Sequence, residues 1–389
     1  MSGSHQVSST PKRSHPPTLK QLVSAKMAVA DIKGAVRILS SKETILPPPE
    51  ETTQKLKEKH PMKHPDSQIL PDMEDEGSSF KTNRDDLLRA LHSFKRGARA
   101  AGGPDGFLPQ HLLDMCGLAL GEPATQLINS LVAFMNLIVF PGKVPKEICE
   151  TFYGATLIAL SKVDGGARPI AIGFTLRRLA GKIMMFANKD FCSAHFTLNQ
   201  LGVCSPKGAE ICVHAVRNFL QDPSSEGKVM VKIDFKNAFN TIKRDVMLNL
   251  VKSKLPNMYN FDHQCYAINT NLVFGNEVLK SCEGVQQGDP LGPFLVSLGI
   301  QDLVNKMKSD LDVFYLDDGT LGGEVESVIE DLHKIKSAMN SHGLELNPTK
   351  CELFIVNSAN DQNDMHVKNL FNDVCNGIKI IKREDLSLN

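Results

Sequence analysis

The chain has no net charge: 44 Lys and Arg balance 44 Asp and Glu across 389 residues. A uniformly basic nucleic-acid coat is therefore excluded, although a local one is not. Nor does any C-x-x-C pair occur among the nine scattered cysteines, an odd number. Such spacing offers no zinc site and fits reduced thiols in an intracellular protein, nuclear or cytoplasmic. The polar N-terminus, Met-Ser-Gly-Ser-His-Gln, lacks the apolar segment of a secretory signal, so secretion is not expected. No apolar run is long enough for a bilayer. The most apolar stretch, Leu127–Phe140, is short and interrupted by Asn129, Ser130 and Asn136, and it reads as a buried helix. No internal repeat is found.

What is present suits a large globular core, with 41% hydrophobic and 23% charged residues. The length predicts two or three domain-sized units. Charge is unevenly placed. Residues 81–230 hold 17 Lys and Arg against 12 Asp and Glu, whereas residues 231–389 hold 16 against 22. A basic half followed by an acidic half fits a protein that holds a polyanion with one part and metal ions with the other.

Residues 1–17, rich in Ser, Pro and His, read as disordered. Thr18–Ser40 has helical spacing, with Leu22, Met27, Ile32 and Val36 or Ile38 on one face, and Pro47-Pro48-Pro49 stops it. Glu50–Lys59 reads as a short charged helix and His60–Ser79 as a loop, with order expected from Phe80 onward. Asn83 or Thr82 can cap a helix through Phe94. A Gly-rich loop follows at 100–106, then helices near 108–115 and 123–139. Ala155–Ser161 and Ala167–Ile172 read as a hairpin, and Leu176–Lys189 and Gly208–Leu220 as helices. From residue 228 the expected order is strand, helix, small hairpin, helix, strand, turn, helix, strand.

Two of those strands end in carboxylates. Val313-Phe314-Tyr315-Leu316 runs straight into Asp317-Asp318, and Val229–Ile233 runs into Asp234. Adjacent carboxylates disfavour each other's ionisation unless a cation compensates, and hard oxygen ligands suit Mg2+. If the two strands lie side by side, Asp234, Asp317 and Asp318 meet at one sheet edge. Three carboxylates there can hold two divalent ions, Mg2+ or Mn2+, roughly 3.5–4 Å apart for in-line phosphoryl displacement. The plainer reading also stands: a strand ending in an Asp-Gly hairpin turn, and an Asp234 that caps a helix or turn.

Several blocks together resemble a reverse transcriptase of the non-LTR retrotransposon kind. Arg168-Pro169-Ile170 resembles the fingers block, and Lys232–Asn240 the first palm aspartate block. Gly284–Pro293 resembles the Gln-Gly-x-Pro-Leu block, Tyr315–Asp318 the Tyr-x-Asp-Asp box, and Gly343–Lys350 the block after it. Upstream, Gly103-Pro104-Asp105-Gly106 resembles an element that precedes the fingers. The resemblance spans about residues 80–356 and implies an α+β right-hand polymerase whose palm is a ferredoxin-like antiparallel sheet with helices. The implied division is an N-terminal extension (1–79), fingers (80–227), palm (228–360) and a short tail (361–389). The implied activity is RNA-directed DNA polymerisation from dNTPs on an RNA template and DNA primer, with no membrane partner.

The same resemblance implies roles. Asp234, Asp317 and Asp318 hold metal, with the backbone carbonyl of Phe235 as a further ligand. Lys162 and Arg168, on the hairpin, clamp a triphosphate. Phe239, five residues after Asp234, sits under the sugar and excludes ribose. Gln287 and Gly288 approach nucleotide and template, and Tyr315 lies beside them. Lys350 protonates or neutralises the departing pyrophosphate. Each residue has a plainer alternative: solvated charges on a hairpin for Lys162 and Arg168, a core ring for Phe239, a turn for Gln287-Gly288, packing for Tyr315 and a surface lysine for Lys350. The family's palm is followed by a helical thumb, and only 33 residues follow Val356. A thumb is therefore expected to be largely absent, as in a truncated copy. A catalytically silent, retroelement-derived protein that binds nucleic acid or a protein partner is the alternative function, and a DNA-templated or untemplated nucleotidyltransferase a third.

Overall fold

Apolar residues fill both faces of Val229–Ile233, where only Lys232 is exposed. A strand buried on both sides must lie inside a sheet with packing above and below it. The computed structural model places it so. The model describes residues 45–48, 50–73, 79–94, 102–162, 165–196, 198–357 and 361–382, with scattered helical positions between 20 and 39.

Val229–Ile233 is the middle strand of five, in the order Lys379–Ile380, Glu352–Ile355, Val229–Ile233, Asp318–Gly323, Leu311–Tyr315. All neighbours are antiparallel except the first pair. One face carries Val229, Val231, Ile233, Leu321 and Leu353 into the main core against helices Arg244–Lys254, Gly292–Val304 and Val325–Ser341. The other face is covered by helix Gly208–Gln221, whose Val216 and Phe219 pack on Met230, Phe354, Leu311 and Val313. Each such side chain removed from water contributes about 1.5–3 kcal/mol before chain entropy is counted.

A second five-stranded sheet is built on Ala155–Ser161. It pairs antiparallel with Ala167–Gly173 and Ile45–Leu46, and parallel with Thr270–Phe274, which turns back through Glu277–Ser281. Its small core holds Leu56, Leu157, Ala159, Ala171, Leu272 and Phe274. Mixed sheets and helices make the chain α+β.

Several expectations from the sequence need correction. Asp318–Gly323 (Asp-Gly-Thr-Leu-Gly-Gly) reads as a turn but is an interior strand. Its glycines make room for aromatic rings: a Cβ on Gly319 would lie 2.5 Å from the Phe314 ring, and one on Gly322 would lie 2.8 Å from Phe219. Residues after 360 do not form only a tail, because Asp361–Asn372 is helical and Lys379–Ile380 extends the sheet. Order also begins well before Phe80. Strand Ile45–Leu46, helix Glu50–Lys59 and the following loop lie against the body of the protein. In that loop the His64 N–H donates to Glu283 (2.8 Å) and the Gln68 N–H to Asp245 (2.5 Å), while the Pro71 carbonyl accepts from the Tyr259 hydroxyl (2.6 Å). Further toward the N-terminus, residues 1–17, Leu22 and Ile38 lie outside the described residues. Met27, Ile32 and Val36, which helical spacing puts on one face, are exposed.

Candidate active site

The Asp pair sits on a tight hairpin. Leu311–Tyr315 and Asp318–Gly323 pair with Tyr315 opposite Asp318, which leaves Leu316 and Asp317 as the connection. The two Asp-tipped strands are thus not neighbours, because Asp318–Gly323 runs between them. Asp234 reaches the edge that carries Asp318 through that intervening strand. Ile233 lies opposite Gly319, so the next position along brings Asp234 level with Asp318. Leu316 adopts a left-handed conformation, φ 61, which is costly for a branched side chain. The buried side chain of Gln200 holds it by accepting from the Leu316 N–H (2.8 Å) and donating to its carbonyl (2.9 Å).

Asp234, Asp317 and Asp318 line one cavity of about 690 Å³. Burial, then the negative charges of Asp318 and Asp234, push the Asp317 carboxyl up to about 6, against an opposing pull from its backbone hydrogen bond and Lys162. Asp318 keeps contact with solvent, yet the cavity walls strip part of its water. That loss, followed by the Asp234 charge, raises it, while Lys232 and Lys350 pull it down. Asn347 fixes Asp234, donating from its side chain to Oδ1 (3.0 Å) and from its backbone to the Asp234 carbonyl (2.8 Å).

The other wall comes from the second sheet. Lys162 and Arg168 reach the cavity from the two arms of the hairpin, and Arg168 alternates with buried Ala167 and Pro169. Phe235, Phe239, Gln287, Gly288 and Lys350 also line it. Phe239 lies on the short helix Ala238–Thr241, and its carbonyl accepts from the Val285 N–H at 2.6 Å. Tyr315 does not line the cavity; it is 41% exposed, because strand alternation turns it away from buried Phe314. The Gln287 amide donates to buried Asn240 (2.8 Å), so that part of it is engaged within the protein. Gly288 is needed by a neighbouring strand. At φ 118, a Cβ there would lie 2.5 Å from the Ala171 carbonyl, beside the 2.6 Å bond from the Ala171 N–H to the Gln287 carbonyl.

A cavity with carboxylates on one wall and cations on the other suits a charged substrate. The family model for reverse transcriptase (RNA-dependent DNA polymerase) matches residues 160–370, just over half of the chain. The chain belongs to the reverse transcriptase family. No curated protein matches it. A divalent metal is general in that family, and the all-oxygen donor set of three mutually repelling carboxylates fits a hard cation. Among the described residues no three His, Cys, Asp or Glu side chains form a closed metal cluster. These carboxylates are therefore neighbours in one cavity rather than a finished coordination shell.

Three residues that line or brace this cavity carry no sequence signal of that place. Gln200 and Asn347 act through hydrogen bonds to Leu316 and Asp234, and only Asn347 falls in a recognisable block. Lys59 enters the cavity from the N-terminal segment, where no periodicity or motif announces it.

Proposed function

We propose that this chain performs RNA-templated DNA synthesis from dNTPs, with the first sheet described as a palm and the hairpin sheet as fingers. The observation that carries the proposal is the single cavity shared by Asp234, Asp317 and Asp318 with Lys162, Arg168 and Lys350. Gly103-Pro104-Asp105-Gly106, which forms a turn closed by Gly106 N–H to the Gly103 carbonyl (2.9 Å), supports kinship with the non-LTR retrotransposon enzymes.

In this reading the three aspartates and the Phe235 carbonyl hold two Mg2+ or Mn2+ ions. When bound, the ions acidify the primer hydroxyl and neutralise charge on the leaving group. Lys162 and Arg168 orient the triphosphate. The primer 3′-oxygen bonds to the α-phosphorus as the bond to the β-phosphate oxygen breaks, and pyrophosphate leaves, with Lys350 placed to protonate it. Phe239 fills the space a ribose 2′-hydroxyl would need.

Primer extension on poly(rA)/oligo(dT) with dTTP tests this. Extension that needs Mg2+ or Mn2+ and is lost in Asp317→Asn, with the fold retained by circular dichroism, is the expected result. Absence of extension by the wild-type chain, with binding to poly(rA) retained, would instead favour the catalytically silent nucleic-acid-binding reading.

A further inference from the structure

Lys59 lies outside the residues matched to the family, at the end of helix Glu50–Lys59, yet it lines the same cavity as Asp234 and Asn237. Its place is tightly determined. Ile45–Leu46 pairs with Leu160 and Ala159 of the hairpin sheet, and fully buried Leu56 anchors the helix to that sheet. At the helix end the Asn237 side chain donates to the Lys59 carbonyl at 2.7 Å. Strand Ile45–Leu46 and helix Glu50–Lys59 therefore form a strap from the hairpin sheet to the turn that follows Asp234.

The side chain is half-buried, and its ammonium pairs with no described residue. Its neighbours are spoken for: Lys236 pairs with Glu345 (2.5 Å) and Lys55 with Glu51 (2.7 Å). A lysine in a last helical turn is favoured by the helix dipole. That alone explains Lys57, which is exposed, but it does not explain why Lys59 is held at the cavity wall. A lysine that lines a cavity without a hydrogen-bonded carboxylate of its own can pair with an anion that enters the cavity.

We propose that Lys59 binds the triphosphate of the incoming nucleotide, so that the N-terminal strap adds a cation to the pocket that Lys162 and Arg168 line. The inference rests on the polymerase reading above. Lys59 is a substrate-binding residue in this scheme and takes no part in the covalent step.

The test measures dTTP dependence of extension on poly(rA)/oligo(dT) for Lys59→Ala, Lys59→Gln and Lys59→Arg in the full chain. Lys59→Ala and Lys59→Gln are expected to raise the KM for dTTP about tenfold or more. kcat should change much less, the Kd for primer–template by fluorescence anisotropy should stay unchanged, and Lys59→Arg should recover most of the loss. Lys59→Gln keeps the stem in case truncation to Ala lowers the melting temperature. An unchanged KM in an active variant overturns the inference, and so does a weaker primer–template Kd with KM unchanged, which would assign Lys59 to the nucleic-acid backbone. A second readout is independent of turnover. Inorganic tripolyphosphate with Mg2+ should protect Lys59, but not Lys57, from acetylation by an amine-reactive reagent, read by mass spectrometry. Equal reactivity of both lysines overturns the inference even if the wild-type chain extends primers. A wild-type chain that fails to extend but shows Lys59 protection sinks the polymerase reading alone.

Discussion

Gln200 grips Leu316 through both atoms of its side-chain amide, at 2.8 Å to the N–H and 2.9 Å to the carbonyl. The left-handed Leu316 costs about 1–2 kcal/mol on its own, and the grip offsets that cost while fixing the turn that carries Asp317. Gly202 lets the two segments touch, since a Cβ there would lie 2.5 Å from the Leu316 nitrogen. Gln200→Ala removes the partner of three backbone groups, the N–H and carbonyl of Leu316 and the Gly202 N–H, and should destabilise the fold by about 1–3 kcal/mol. Primer extension should fall more steeply than the folded fraction, because Asp317 loses its support. Urea unfolding combined with extension assays at a temperature where both proteins are folded checks this. Full activity in the variant would show that the turn holds itself.

That relationship also marks where sequence reading stops. Strands such as Val229–Ile233 and Leu311–Tyr315 were legible because an apolar run ending in Asp is a local pattern. The strand Asp318–Gly323 was not, because its glycines signal a turn and their real purpose, admitting the Phe314 and Phe219 rings, depends on residues far away in the chain. The three aspartates stand out in the sequence because they end two apolar runs, whereas Gln200 and Asn347 serve through hydrogen bonds to residues distant in the chain. Helix Glu50–Lys59 is legible as a short charged helix, but the docking of this helix and of the loop after it is not. The loop's prolines and acids have no periodicity, and the attachment is made by single hydrogen bonds to Asn237, Glu283 and Asp245.

A buried ion pair stands behind the Gln286–Gly288 turn. Arg177 Nη2 lies 2.6 Å from Asp289 Oδ2, and the same oxygen accepts from the Tyr266 hydroxyl at 2.5 Å. Arg177 also donates to the Gln286 side chain (2.6 Å) and to the Tyr153 carbonyl. Removing one partner strands the other, so Arg177→Met or Asp289→Leu should each cost about 3–5 kcal/mol. The double variant should lose far less than the sum of the two. Chemical denaturation of all four proteins measures the coupling, and strictly additive losses would show that the pair does not act as a unit.

Asp331 gives the stability an acid limb. Its carboxylate is fully buried and accepts from the N–H groups of Lys308 (2.7 Å) and Ser309 (2.8 Å), the Ser309 hydroxyl (2.8 Å) and the Lys334 ammonium (3.0 Å). Burial alone would raise its pKa, but these donors outweigh burial and hold it below the ordinary 3.8. A carboxylate with a depressed folded pKa stabilises the protein above its unfolded value, and that stabilisation is lost as pH falls through the folded value. Asp331→Asn should therefore cost about 2 kcal/mol at pH 7. The gap between variant and wild type should narrow only below about pH 4. Urea midpoints across that range check both the size and the sign, and a gap that widens in acid would rule the account out.

Phe239 offers the sharpest test of substrate choice. It lies on the short helix Ala238–Thr241 that follows Asp234, lines the cavity, and is tied to Val285 by the 2.6 Å bond to its carbonyl. The ring also lies close to the start of helix Gly292–Val304, 3.8 Å from the position a Cβ on Gly292 would take. On the polymerase reading proposed above, the ring would exclude a 2′-hydroxyl by volume rather than by charge. Phe239→Val removes that volume while preserving the backbone bond. Incorporation of UTP on poly(rA) should rise by roughly one to two orders of magnitude relative to dTTP, in line with about 1–3 kcal/mol for steric discrimination of a small group. The partly exposed ring should cost little stability when trimmed, so the melting temperature should fall by only a few degrees, of the order expected from about 1 kcal/mol. The ratio of kcat/KM for dTTP and UTP, measured for both proteins, decides the matter. An active variant with an unaltered ratio would mean that Phe239 only packs the turn and that another part of the cavity reads the sugar.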